Sequence, residues 1–452
     1  MNNRIKKSLL LCLVCIVLFL SGALLAPTGT MAEDGEAPAL AYGQTADATG
    51  VVVYGIGSFN GEVLTIPESY GGLPVVAIAS RAFINNTTLQ AVYLPSTMRS
   101  VGEEAFKNCT ALFDVSLNEG LTELGASAFE NCSGLSFLMI PTTLQDLPEG
   151  AFRGCIGLTE VYLFEGTKSI GQECFAGCTA LQSLSLPKGF EQVGQQAFRG
   201  CTGLLFLSFG EDLNTISAGA FYGCSALAEI SFPSSLTQVG DSAFALCTSL
   251  SSVRFSDAAL TLGEWVFGSC ESLKNLTLPA GIRMGDYCFI DCTALESVTL
   301  PADLEDLPNG TFEGCTALGS VTLPAGLCRV GDYAFYKCGE LTLHLAETVS
   351  KVGASAFDGC TIGELSYQGS VYDYRAMTLC PKNESLKSLL DKLFEADLPE
   401  DLDEDGAVTI SDVTFLLNLL AASEQKDADL DGDGNTTISD VTYLLNYLSG
   451  GK

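Results

Sequence analysis

Two matched sets of oxygen-bearing residues lie near the C-terminal end of the sequence. In DLDEDGAVTISD, Asp401, Asp403 and Asp405 occupy loop positions one, three and five, Gly406 position six, Thr409 position nine and Asp412 position twelve. DLDGDGNTTISD repeats the pattern with Asp429, Asp431, Asp433, Gly434, Asn435, Thr437 and Asp440. Carboxylates at alternate residues converge on one cavity, and glycine permits the sharp turn. The carbonyl at position seven, Ala407 or Asn435, faces the ion, and position nine acts through water. This is calcium chemistry, with one Ca2+ expected per loop. Without a cation, carboxylates about 5 Å apart repel by roughly 3 kcal/mol per pair at an effective dielectric of 20, so calcium is expected to be required for folding of this segment.

The elements that must hold these loops are helices. VTFLLNLL follows Asp412 and VTYLLNYL follows Asp440, with no good amphipathic helix directly before either loop. Two half EF-hands, each a loop plus its following helix, can cover one another's apolar faces. In register, the two units closely resemble a type I dockerin domain over about residues 398–452. The resemblance implies docking to a cohesin module of a scaffolding protein, in extracellular assemblies that commonly degrade plant polysaccharides. It also implies a pseudo-twofold recognition surface, made of Ile410, Ser411, Leu417 and Asn418 in one half and Ile438, Ser439, Leu445 and Asn446 in the other. The Ile-Ser pair departs from the Ser-Thr best known in that family, and position twelve is aspartate where an ordinary EF-hand has glutamate.

Upstream, a phenylalanine recurs at Phe83, Phe106, Phe129, Phe152, Phe175, Phe198, Phe221, Phe244, Phe267, Phe289, Phe312, Phe335 and Phe357, at intervals of 23 residues except two of 22. The shared frame is A-F-x-x-C-T-x-L-x-x-V-x-L-P-x-x-L-x-x-[IVL]-G. A period this regular means a solenoid whose units stack to bury an apolar face that none can bury alone. In one unit Leu295, Val298 and Leu300 are expected to point inward and Pro301 to end the strand, since it cannot donate a ladder hydrogen bond. Leu304 and Leu307 re-enter the core. Each buried phenylalanine contributes about 2 to 3 kcal/mol. These residues resemble the BspA-like bacterial leucine-rich repeats over about residues 51–377. The expected fold is therefore a leucine-rich-repeat solenoid, with a short parallel strand plus a turn or helical segment per repeat, and then a small all-α dockerin. GEVLTIPESYGGLPVVAIASRAF and ELSYQGSVYDYRAM read as terminal caps, and SLKSLLDKLF within a 378–397 linker as a short amphipathic helix that packs on the solenoid end or stiffens the link.

Of 18 cysteines, twelve share one repeat position, from Cys109 to Cys360, where the first turn has Asn86. An in-register ladder separates successive Cβ atoms by about the strand spacing, wider than the roughly 3.8 Å of a disulfide. The reading is buried thiols. No C-x-x-C pair supports a metal site, because Cys174 and Cys288 merely replace the alanine before phenylalanine.

Arg4, Lys6 and Lys7 precede an apolar run from Leu9 to Ala26, and Thr30-Met31-Ala32 offers a cleavage site, so residues 1–32 read as a secretory signal peptide and 33–50 as a linker. An uncleaved anchor is the alternative, the run being near the lower limit for a span. Val14 before Cys15 argues against a lipoprotein signal. The formal charge of -32 argues against nucleic acid or anionic lipid as partners, and becomes more negative when the signal's basic residues leave.

On the solenoid, outward strand positions carry Tyr93, Phe137, Met139, Tyr162 and Phe206 in the earlier turns and mostly serine and threonine later. Exposed aromatics on one face point to a contact patch for a protein or glycan, while cross-strand packing is the bland alternative. Catalysis has little to build on. The one histidine, His344, is expected in an irregular turn without a nucleophile motif, and Asp114 and Glu160, two turns apart, are a marginal carboxyl pair for glycoside hydrolysis. The sequence therefore reads as a secreted, non-catalytic binding or scaffold component in a cellulosome-like complex. A surface adhesin contacting host or neighbouring cells is the alternative, and a polysaccharide-degrading enzyme the more distant one.

Overall fold

A column of phenylalanine rings runs through the chain. The computed structural model describes residues 39–369, 371–394, 413, 414, 417 and 437–448. Along it, all thirteen rings from Phe83 to Phe357 stack on their neighbours, with centroids 4.9 to 5.7 Å apart and planes within 22° of parallel. Every one is buried. Leu295, Val298, Leu300, Leu304 and Leu307 are buried as the repeat frame requires, between exposed strand residues Ser297 and Thr299.

Each turn supplies two strands where the repeat frame led us to expect one. A three-residue strand pairs in parallel with its counterpart in the next turn, as Asn275–Thr277 does with Ser297–Thr299. A two-residue strand does the same on another side, as Asp306–Leu307 does with Arg329–Val330. The segment around each phenylalanine, expected as turn or helical, is a run of tight turns. Cys109 N–H donates to the Phe106 carbonyl three residues back (3.1 Å), while Glu104, Phe106 and Asn108 donate to Ala126, Ala128 and Glu130 of the following turn (3.0, 2.7 and 2.7 Å). A helix would keep these N–H groups for itself. Here alternation in backbone handedness releases every second one, with Glu104 (φ 53) and Asn108 (φ 61) both left-handed, as are Ser127 and Asn131 one turn on.

The phenylalanine carbonyls, which already accept from the cysteine N–H three residues on, also account for the cysteine side chains. Cys132 Sγ donates to the Phe106 carbonyl of the preceding turn at 3.2 Å, and the same bond recurs from Cys109 to Cys360 at 2.7 to 3.4 Å. Asn86 stands at this position in the first turn, before which the phenylalanine stack has no member. Its Oδ1 instead accepts from the amides of Thr88 and Leu89. All cysteines among the described residues are free thiols, as the strand spacing implies.

Both ends extend past the sequence-based boundaries. Residues 39–50, assigned to a linker, include Ala41–Gln44, which pairs antiparallel with Val51–Gly55, and Leu40, which is buried in the core. At the other end Thr378–Leu379 pairs with Lys351–Val352, beyond the expected end at 377. The last phenylalanine turn would leave N–H groups without a following turn. Ser355 N–H donates to the Pro381 carbonyl (2.9 Å) and Phe357 N–H to Asn383 Oδ1 (3.2 Å), while the Asn383 amide reaches the Gly353 and Cys380 carbonyls, both at 2.8 Å. The expected amphipathic helix forms over Glu384–Phe394 and sinks Leu386 and Leu390 into the solenoid core. The signal segment, 1–32, lies outside the described residues.

Candidate partner-binding surfaces

Strand period two places alternate residues of each three-residue strand outward, and parallel pairing lines them into columns. Phe137 stands beside Glu160 and Met139 beside Tyr162 on adjacent turns. The Phe137 ring meets Tyr162 edge-on, with centroids 6.2 Å apart and planes at 64°. Among the described residues Phe206 is the most exposed large apolar side chain, at 63%, and is in register with Ser183 of the turn between it and Tyr162. Tyr93 is separate from this group. It is half-buried, donates its hydroxyl to Asp114 Oδ2 (2.9 Å), and lies across an interruption of the three-strand ladder between Ser116 and Phe137. The structure thus joins Phe137, Met139 and Tyr162, sets Phe206 two turns further along, and leaves Tyr93 apart. One neighbour was missed: Leu205, 43% exposed just before Phe206, is at a position the period-two reading did not sample, while Phe113, 50% exposed at the same position, lies on the Tyr93 side of the interruption.

The carboxyl pair is divided by the same interruption. Asp114 accepts from Tyr93, and Glu160 Oε2 accepts from the Tyr162 hydroxyl at 2.5 Å. His344 is not in an irregular turn. It sits in the strand Glu340–Leu345, paired with Ser366, and its Nδ1 lies 2.6 Å from Ser366 Oγ. Leu341, Leu343 and Leu345 alternate inward there, which turns His344 outward. Among the described residues no hydrogen bond joins the imidazole to a carboxylate that would orient it for nucleophile activation.

Burial holds most of the thiol column protonated. It pushes the thiols of Cys155, Cys201 and Cys247 up to about 12. A protonated sulfur is the hydrogen-bond donor that the phenylalanine carbonyl needs, and it is a poor nucleophile and metal ligand.

Of the acidic tail, Asp401, Asp403, Asp405, Ala407, Thr409, Asp412, Asp429, Asp431, Asp433 and Asn435 lie outside the described residues, as do Ile410, Ser411 and Asn418. Thr437 and Asp440 are described. Thr437 caps the helix Ile438–Leu448: its N–H donates to Asp440 Oδ2 (2.6 Å), and its Oγ1 accepts from the Ser439 amide (3.2 Å). Asp440 is fully buried, a carboxylate set at a helix N-terminus in an all-oxygen donor sequence, which fits a hard cation such as Ca2+. The two halves match in burial. Val413 and Val441 are both 6% exposed, and Leu417 and Leu445 are both 45% exposed. Ser439 is half-buried, and the Ile438 and Asn446 side chains lie outside the description.

The family described as BspA type Leucine rich repeat region matches over residues 76–205, 204–319 and 283–370, and the Dockerin type I domain matches over 399–449. Among solved structures, a leucine-rich repeat protein from Bacteroides ovatus ATCC 8483 is 25% identical, with 77% of this chain and 99% of that one covered at a TM-score of 0.62. A leucine rich cell surface protein from Faecalibacterium prausnitzii A2-165 is also 25% identical, with 75% and 96% covered and a TM-score of 0.43. No curated protein is significantly similar to the chain.

Proposed function

The chain belongs to the BspA type of leucine-rich-repeat proteins and carries a type I dockerin domain, and from that premise we propose that it is a secreted, non-catalytic binding component of a cohesin-bearing extracellular complex. The dockerin fixes where the molecule is held, and the solenoid presents the surface it offers there. Two calcium ions are the expected load. Asp401, Asp403, Asp405, Ala407, Thr409 and Asp412 would hold one, and Asp429, Asp431, Asp433, Asn435, Thr437 and Asp440 the other. The ions neutralise carboxylates that otherwise repel, so each loop can close onto its helix.

The observation that carries the reading is the matched burial of the two halves, with Val413 and Val441 equally sheltered while Leu417 and Leu445 are equally presented. A sheltered valine and a presented leucine at corresponding positions of both halves would offer a cohesin two equivalent faces. On the solenoid, exposed Phe137 and Phe206 with half-buried Met139 and Tyr162 supply aromatic and apolar area of the kind that anchors protein interfaces. The direct test is binding of the full chain to type I cohesin modules with and without calcium. Complex formation in calcium that disappears on chelation, and returns when calcium is restored, is expected. Equal binding in excess chelator would refute the calcium-held dockerin.

A further inference from the structure

The face around the phenylalanine turns carries a second row of aromatic side chains, away from the strand face. The fold requires left-handed backbone two residues before every phenylalanine, and most turns meet that demand with small or flexible residues such as Ser127, Gly150, Gln196 and Gly219. Three of four consecutive turns use Trp265 (φ 60), Tyr287 (φ 59) and Tyr333 (φ 58) instead. Bulky side chains are rare in that region and destabilise the turn relative to glycine or serine. The fourth turn shows how the row is seated. Gly310 leaves room for the Tyr287 ring, because a Cβ there would stand 2.1 Å from Tyr287 Cδ1. Trp265 and Tyr287 stack with centroids 4.9 Å apart, and Trp265 and Tyr333 remain 42% and 39% exposed.

The charge around this row selects its occupant. Asp241, Glu264, Asp286 and Asp332 occupy one column beside it, and no ion pair among the described residues involves any of them. Earlier turns of the same face neutralise themselves, through an unbroken run of ion pairs at 2.6 to 3.0 Å linking Arg81, Glu104, Lys107, Glu130, Arg153 and Glu173. The face also already seats cations on rings. Arg199 lies over Tyr222 with its guanidinium carbon 5.8 Å from the centroid, and Lys337 Nζ lies 4.8 Å from that of Tyr336. We infer that the row Trp265, Tyr287 and Tyr333 is a docking surface for a protein segment presenting lysine or arginine side chains, held by ring contact and by the carboxylates alongside.

Trp265 is the only tryptophan in the chain, so its fluorescence reports this face alone. The full chain, with calcium present, is titrated with octa-lysine. A saturable change in Trp265 emission is expected, weakening with salt. In E264Q/D332N, which keeps the oxygen that accepts the Ala354 amide, affinity should fall about tenfold, whereas E123Q/E191Q, removing two exposed carboxylates elsewhere, should leave it unchanged. Absence of a saturable emission change, equal weakening in both double variants, or a response to neutral cellohexaose with none to octa-lysine would each overturn the inference.

Discussion

Two equivalent docking faces make a quantitative prediction about Leu417 and Leu445. Each is 45% exposed, so roughly half of the burial free energy of a leucine remains to be gained on contact. Full burial of a leucine is worth about 1.5 to 3 kcal/mol, which leaves about 1 kcal/mol for each contact, or about fivefold in affinity. If either half can face the cohesin, the observed association constant is the sum over two modes. Leu417→Ala weakens one mode about fivefold and leaves the other intact, so observed affinity falls less than twofold, about 0.3 kcal/mol. Leu445→Ala should behave identically. The double variant weakens both modes and falls the full fivefold, a ratio well beyond the product of the single effects. Calorimetric titration at saturating calcium measures all four proteins on one scale. A single variant losing as much as the double would show that one face alone binds. A double variant indistinguishable from the parent would show that neither leucine is part of the interface.

The thiol column makes the solenoid sensitive to alkali. Cys155, Cys201 and Cys247 are pushed up to about 12 by burial, while an unfolded thiol titrates near 8.5, so above about pH 8 the unfolded chain binds fewer protons than the folded one. Stability is therefore fully present below about pH 8 and falls between there and about pH 12, by up to about 1.4 kcal/mol per pH unit for each such thiol; Cys201→Ala should make the decline in denaturation midpoint shallower, and an unchanged slope would refute the assignment. On the strand face, alanine at Phe137, Tyr162 and Phe206 should change unfolding free energy by no more than about 1 kcal/mol, because these side chains are partly solvated already, yet should remove secreted-protein partners that the parent chain captures. An unchanged set of captured partners would retire that patch.

The phenylalanine spine and the inward leucines were legible because a side chain repeated at a fixed period must occupy a fixed place in a stack. The reason for cysteine was not. Donor and acceptor, as in Cys132 and Phe106, are 26 residues apart, and nothing in a sequence announces which way a carbonyl points. The two-residue strands were invisible for a related reason, since a segment such as Asp306–Leu307 is too short to show alternation. Left-handed backbone beside each phenylalanine left no mark either, because Arg81, Glu104 and Trp265 all adopt it alongside the glycines. The strand holding His344 did leave one, in the alternation of Leu341, Leu343 and Leu345, but the missing proline after it masked the register. Asn383 caps the stack from outside the repeat, so no periodic argument could find it.

The division between fixed and variable positions explains how such a chain acquires binding specificity. Phenylalanine, cysteine and the inward leucines and valines satisfy the stack, and each turn exchanges backbone hydrogen bonds only with its neighbours, so stability is set locally and repeats along the axis. Outward columns carry little of that load. Column positions filled by Phe137 and Phe206 in two turns hold Ser183, Ser297 and Ser320 in others, with the same backbone pairing throughout. The column two residues before phenylalanine behaves likewise, accepting glycine, serine, glutamate or tryptophan at the same left-handed φ. Substitution in either column can therefore redraw a contact surface without disturbing the spine beneath it. The proposed anchor, working through either of two faces, would complement this arrangement, because it would hold the solenoid in place while leaving its orientation free to suit whatever the outward columns select.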